Sequence, residues 1–278
     1  ETSVSHQAYE ASRLDDSETH KMLSKTYPYT ILITEDDDEV RCFLERELSP
    51  HFKTRTAANG KDALRVLEEE EISLVVSDVM MPEMNGFELC RMIKSQLPFS
   101  HIPVILLTAL TDERQRIFGI TGGADDYIQK PFHTDYVKIK IIHLLQERQK
   151  LRERLLEKLR DNKLLLSEPE KVESIDDAFL RKFAEQIEAV YADPEYNVEK
   201  LSETLGLSRG HLHRKIKELT GTAPVEFLRT YRLNKATQLL RQNAYTVSEV
   251  AYRTGFSSPA YFSKCFKAVY GVTPTEYQ

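Results

Sequence analysis

Cysteine is scarce and scattered. Cys42, Cys90 and Cys265 are the three in 278 residues, and no two stand at C-x-x-C spacing. That argues against a zinc ligand set or a disulfide framework and suits a reducing cytosol. No apolar run approaches the roughly 18 residues of a membrane-spanning helix, and no secretory leader opens the sequence. No glycine-rich nucleotide lid appears either. No histidine has an acidic neighbour followed by a helix pair, so neither a sensor nor a kinase is visible. The first residue is Glu1 rather than Met, which reads as a fragment or a processed chain.

What is present is ordinary in bulk and uneven in distribution. Hydrophobic residues make up 41% and charged residues 29%, as in globular chains, and the length allows one or two domains with real cores. The net charge of -6 hides an asymmetry. Residues 28–147 hold 13 Lys and Arg against 21 Asp and Glu, a net of -8; residues 196–278 hold 12 against 6, a net of +6. An acidic half followed by a basic half points to a polyanionic partner for the second half alone, although a solvated surface could give the same count.

The most informative stretch is Ser77-Asp78-Val79-Met80-Met81-Pro82, at the end of the apolar run Ile72 to Val76. Such a run bounded by turn residues reads as a buried strand of a parallel sheet, with Asp78 at its end. Three more short strands end in chemistry-bearing groups. Tyr29 to Thr34 runs into Glu35-Asp36-Asp37-Asp38-Glu39, Val104 to Leu107 ends at Thr108, and Asp126 to Gln129 ends at Lys130-Pro131. Open parallel sheets bring such ends to one edge, where ligands bind. Clustered carboxylates without an equal number of bases call for a hard cation, and Mg²⁺ suits them because it also accepts phosphate oxygens. Asp78 could then act as a nucleophile towards a phosphoryl group, with Thr108 donating to one phosphoryl oxygen and Lys130 offsetting the charge. Taken singly, Asp78 could merely cap a turn and the acidic run could be a solvated helix start.

The stretches ILITEDD, VVSDVMMPEMNGFELC, VILLTAL and DDYIQKPF resemble the receiver domain of two-component response regulators, over roughly residues 28 to 147. The resemblance implies that Asp78 is the phosphoacceptor and that Glu35, Asp36, Asp78 and the Met80 backbone carbonyl hold the metal. It also implies Thr108 and Tyr127 as a switch pair and Lys130 as the phosphate-contacting lysine. The expected fold here is an α/β doubly wound, five-stranded parallel sheet, its second strand near Phe52–Thr56. Its helices are expected near Val40–Leu48, Lys61–Glu69, Gly86–Ser95 and Glu113–Thr121.

Residues 1–27 are polar and read as a tether. From His133 the pattern turns helical, with Val137, Ile141, Leu144, Leu145, Leu151, Leu155 and Leu159 on one face. The part beyond Arg148 reads either as a dimeric coiled-coil arm or as a lone solvated helix, a linker over 148–174 that breaks at Ser167-Glu168-Pro169-Glu170. Residues 175–278 form an all-α domain. It opens with a helix capped at Ser174 and running to about Ala192, and two similar units then recur 49 residues apart. Each has a short helix with a small residue at its centre, Ser202 or Ala251, then Gly206 or Gly255 at a turn, then Ser and a second helix. These are two helix-turn-helix units joined by a long helix from Pro224 to about Gln242. Their second helices carry His213, Arg214 and Lys217 in the first, and Ser263, Lys264 and Lys267 in the second, as the outward polar set. Leu212 and Ile216, and Tyr261, Phe262 and Phe266, are expected to face the core.

The stretch SEVAYRTGFSSPAYFSKCFKAVYGVTPTEY resembles the AraC/XylS-type DNA-binding domain. That implies a monomeric module placing two reading helices in successive major grooves of double-stranded DNA. Gly210 falls on a reading position of the family and has no side chain with which to read a base. The whole order resembles the C-terminal half of the hybrid two-component regulators of Bacteroidetes, in which a sensor and histidine kinase precede these domains in one membrane polypeptide. Their targets are often glycan-utilisation genes. The expected function is a phosphorylation-controlled transcription regulator, not itself an enzyme. It would take phosphate from a histidine kinase domain, form a homodimer when phosphorylated and have RNA polymerase as a candidate further partner. It would act in the cytoplasm, or as the cytoplasmic part of an inner-membrane protein, without touching the membrane itself. The rival readings are the output end of a hybrid histidine kinase, and a receiver acting only as a phosphate sink.

Overall fold

The computed structural model describes residues 21–109, 123–160 and 174–278, with side chains in the long helix described up to residue 153. The chain falls into two compact units, residues 1–149 and 150–278. In the first, β1 (Thr30–Thr34), β2 (Lys53–Ala57), β3 (Leu74–Asp78), β4 (Val104–Thr108) and β5 (Asp126–Gln129) form one sheet in the order β2-β1-β3-β4-β5. Every pair is parallel. Because side chains alternate across a strand, Ile31 and Ile33 enter one core and Leu32 enters the other. On one face α1 (Asp38–Leu48) and α4 (Thr134–Arg160) cover the sheet with Leu44, Leu48, Val137, Ile141 and Leu145. On the other, α2 (Gly60–Glu69) and α3 (Gly86–Ser95) bring Ala63, Leu67, Leu89, Cys90 and Ile93. Each fully buried Leu, Ile or Val is worth about 1.5–3 kcal/mol, so the two cores can hold a carboxylate edge that does not stabilise itself. This is the doubly wound five-stranded fold expected from the strand runs.

The helix expected over Glu113–Thr121 and the break at Ser167–Glu170 lie outside the described residues. So does most of the tether over 1–27. Its described end packs on the first unit: Tyr27 stacks on Phe52 with centroids 5.6 Å apart, and its N–H donates to the His51 carbonyl at 2.7 Å. Along α4, Val137, Ile141 and Leu145 are buried, whereas Leu151 is exposed.

The second unit is helical: α5 (Ile175–Val190), α6 (Val198–Leu205), α7 (Arg209–Thr220), α8 (Pro224–Arg241), α9 (Val247–Arg253), α10 (Pro259–Tyr270) and α11 (Pro274–Tyr277). Capping fixes most starts. Ser174 and Asp177 close a reciprocal capping box on α5, as do Thr246 and Glu249 on α9. Gly206 and Gly255 take φ of 67° and 79°, the left-handed conformation the two turns demand. Gly255 is also sterically fixed, since a Cβ there would lie 2.1 Å from the Tyr191 carbonyl oxygen. Ser208 caps α7 and Ser258 caps α10, so the second turn is one residue longer than the first. The cores agree with the expected faces except at Tyr261. Leu212, Ile216, Phe262 and Phe266 are fully buried, while Tyr261 is 52% exposed.

Candidate functional site: an acidic strand edge and two outward helices

The ends of β1, β3 and β5 meet at one edge of the sheet. Asp78 closes β3, and both its oxygens are held: Oδ1 is 2.8 Å from Lys130 Nζ, and Oδ2 accepts from the Met80 N–H at 3.2 Å. Lys130 Nζ also reaches Glu35 Oε2 at 2.9 Å, bridging the two carboxylates. Its backbone N–H donates to the Thr108 carbonyl at 2.7 Å, which ties the start of the turn to β4, and the peptide to Pro131 is cis. Glu35, Asp36 and Asp78 can each offer a ligand oxygen within 4.8 Å of the others.

The five-residue acidic run is divided among distinct tasks. Asp37 caps α1, accepting from the Glu39 and Val40 N–H groups. Asp38 pairs with Arg41, which also donates to the Glu35 carbonyl at 2.7 Å. Glu35 and Asp36 are left for the edge. The sequence reading does not single out Arg41; its place one turn into α1, below an acidic run, is the available signal.

Electrostatics at this edge are set by burial and by the bridging ammonium. Burial raises the Glu35 carboxyl above its ordinary value against the opposing hydrogen bond from Lys130, and the neighbouring Asp78 and Asp36 raise it further. For Lys130 burial works downward, but the hydrogen bonds to Asp78 and Glu35 outweigh it and the ammonium is held above its ordinary value. Three carboxylates against one lysine form an oxygen-only donor set of the kind a hard divalent cation accepts.

Gly86 is a second feature that sequence reasoning misses. It opens α3, and a Cβ there would lie 2.1 Å from the Asp78 carbonyl oxygen. Its N–H donates to the Val79 carbonyl, so the helix start sits directly behind the acidic edge. Thr108 and Tyr127 lie on neighbouring strands, with Leu106 registered against Tyr127 and Thr108 against Gln129. The Tyr127 ring packs with the α2–α3 core, and burial, the foremost cause, pushes its hydroxyl up to about 12.

In the second unit His213 and Lys217 are not buried on α7, and Arg214 stands beside them. On α10 Lys264 and Lys267 are exposed. Ser263 is half-buried, its hydroxyl donating to the Pro259 carbonyl at 2.9 Å. Gly210 faces open space. Both helices thus present a basic outer face; the inner stripe is apolar on α10, whereas on α7 it also holds Lys215 and Thr220.

Residues 31–142 match the response regulator receiver domain family, and residues 201–278 match a helix-turn-helix domain family. Residues 31–142 thus carry a response regulator receiver domain and residues 201–278 a helix-turn-helix domain. It is similar to "Histidine kinase P4" of Formosa agariphila, 37% identical over 265 residues that make up 95% of this chain and 19% of that protein. It is also similar to "Transcriptional regulatory protein GltR" of Pseudomonas aeruginosa, 43% identical over 43% of this chain and 50% of that protein. Among solved structures it is similar to the signal receiver domain of a signal transduction histidine kinase from Syntrophus aciditrophicus, at 38% identity. That likeness covers 43% of this chain and 91% of the other, with a TM-score of 0.41. The chain spans about half the length or less of these two named protein relatives.

Proposed function

We propose that this chain is a phosphorylation-controlled, sequence-specific DNA-binding transcription regulator of a two-component phosphorelay. The observation that carries it is the bridge from Lys130 to Asp78 and Glu35, which gathers a nucleophilic carboxylate, a counter-cation and a metal-ligand set at one strand edge. Asp78 would attack the phosphorus of a phosphohistidine on a kinase domain. The new bond forms to a carboxylate oxygen, and the bond to the histidine nitrogen breaks. Mg²⁺ held by Glu35, Asp36, Asp78 and the Met80 carbonyl would supply charge neutralisation and phosphoryl-oxygen binding. Lys130 would pass from bridging two carboxylates to contacting the phosphoryl group, and Thr108 would donate a hydrogen bond to it. Repacking of Thr108 against the Tyr127 ring would alter the nearby surface and favour a homodimer.

Output would run through α7 and α10, with His213, Arg214, Lys217, Ser263, Lys264 and Lys267 facing duplex DNA, and with RNA polymerase as a further partner. The expected setting is the cytoplasm. The 37% identity to a protein named a histidine kinase, over 95% of this chain, supports a second reading, in which the segment is the output end of a hybrid histidine kinase. Sedimentation and duplex binding, each measured with and without acetyl phosphate, test the proposal. Phosphorylation is expected to raise both the mass and the affinity for a selected operator; identical values in the two states would sink it.

A further inference from the structure

Among the described residues of the second unit, one charged side chain is fully inside it. Lys215 is 0% exposed, on the inner stripe of α7 with Leu212 and Ile216. A buried ammonium is costly unless paired and hydrogen-bonded, and a leucine would fill this stripe without that cost. The pairing comes from α5. Lys215 Nζ lies 2.6 Å from Asp176 Oδ1, in the first turn of α5, and 5.1 Å from the ring centroid of Phe179 one turn further on. Asp176 remains partly solvated, so the ion pair sits at the edge of the core with the lysine on its inner side.

The second helix-turn-helix unit supplies an internal comparison. Both α7 and α10 are twelve residues long, and Lys215 is the seventh residue of the first. The seventh of α10 is Cys265, a neutral residue packed in an apolar cluster with Phe262 and Phe266. The same position is therefore apolar in one unit and ionic in the other. The ionic one reaches α5, a helix that lies outside the matched helix-turn-helix family segment. Other polar ties at α5 and its C-cap run to α8: Glu188 binds Tyr231 and Lys235, and Arg232 donates to the Tyr191 carbonyl at 2.7 Å.

We propose that Lys215 is a positioning residue for DNA reading. Its ion pair with Asp176 fixes the roll of the first reading helix against the first turn of α5, and so sets where His213, Arg214 and Lys217 point. The inference rests on the DNA-binding reading of α7 and deepens it. It assigns the first unit an ionic dependence on α5 that Cys265 cannot give the second. Two neighbouring facts give it direction: Arg214 precedes Lys215 directly, and Lys217 lies two residues beyond. A rotation of the inner residue thus turns the outer ones by the same angle.

The test uses the full chain and an operator selected by the wild type from random duplex DNA. Base substitutions in each half of that operator are scored for weakened binding. The half whose base preferences are lost in Arg214→Ala is the one read by the first unit, and the remaining half is assigned to the second. Lys215→Met and Asp176→Asn are expected to relax discrimination by about tenfold in the first half only, the worth of one well-made bidentate bond to a base edge. Lys215→Arg is expected to restore it; the thermal midpoint of Lys215→Met is expected to stay close to the wild type, and that of Asp176→Asn to fall because the buried ammonium loses its partner. Asp176→Asn keeps the measurement decisive if Lys215→Met does not fold. Wild-type reading of the first half by both variants would overturn the inference, as would equal losses in both halves together with a lowered midpoint. Failure of the wild-type chain to select any operator would instead overturn the DNA-binding reading itself.

Discussion

Lys130 Nζ stands 2.8 Å from Asp78 Oδ1 and 2.9 Å from Glu35 Oε2, an ammonium between two buried carboxylates from different strands. The three residues are separated by 43 and 52 positions in the chain, so only the parallel register of the sheet brings them together. Without the ammonium, Glu35 and Asp78 would face each other uncompensated.

Replacing Lys130 by Met is therefore expected to destabilise the first unit by about 2 kcal/mol, a figure reduced from that of a fully buried pair because the side chain keeps some solvent contact. Mg²⁺ is expected to raise the urea midpoint of the variant more than that of the wild type, since a divalent cation can take over the neutralising role. Equal Mg²⁺ responses in both proteins would mean that Lys130 and a cation do not share these carboxylates.

On the two outward helices the expected effects differ in kind. Arg214 can make a bidentate contact to a guanine edge worth about 1–3 kcal/mol of discrimination. Lys264 offers a single charged donor suited to a phosphate. Arg214→Ala should erode the preference for operator over scrambled duplex. Lys264→Ala should weaken both alike and lower the salt slope by about one unit. Titrations of both variants across a salt series check this, and wild-type binding by both would show that the reading helices are misplaced.

Acid should act on the caps of the second unit. Glu249 and Glu276 are held below their ordinary value of 4.5, first by the backbone N–H of Thr246 and of Thr273 and then by their hydroxyls. A depressed carboxyl contributes stability that is present above its unfolded value and is lost as pH falls through the folded one. The double variant Glu249→Gln and Glu276→Gln should thus melt below the wild type at pH 6, with the gap closing towards pH 3. A gap that stays constant with pH would show that the caps do not titrate in this way.

Much of this arrangement is legible in the sequence because it depends on local pattern. Strand ends are marked by the residue that closes an apolar run, which is why Glu35, Asp36, Asp78 and Lys130 group together from the sequence alone. Gly206 and Gly255 announce turns because few other residues take positive φ without strain. Tyr261 departs from its expected place in the core for a reason of helical geometry. Phe262 and Phe266 are four apart and share a stripe, whereas Tyr261 sits about 100° off it and faces solvent. Lys215 is hidden for a different reason, since its burial depends on Asp176, 39 residues upstream. The docking of Tyr27 on Phe52 is likewise a long-range aromatic contact with no local periodicity to reveal it.

The proposed step is the uptake of a phosphoryl group by Asp78 with the help of its acidic neighbours and a divalent cation. It is tested most directly by incubating the chain with acetyl phosphate and Mg²⁺ and mapping the modified residue by mass spectrometry. The expected result is one phosphoryl group, on Asp78, absent from Asp78→Asn and from wild type treated with EDTA. Undiminished modification of Asp78→Asn, or modification that survives EDTA, would contradict it.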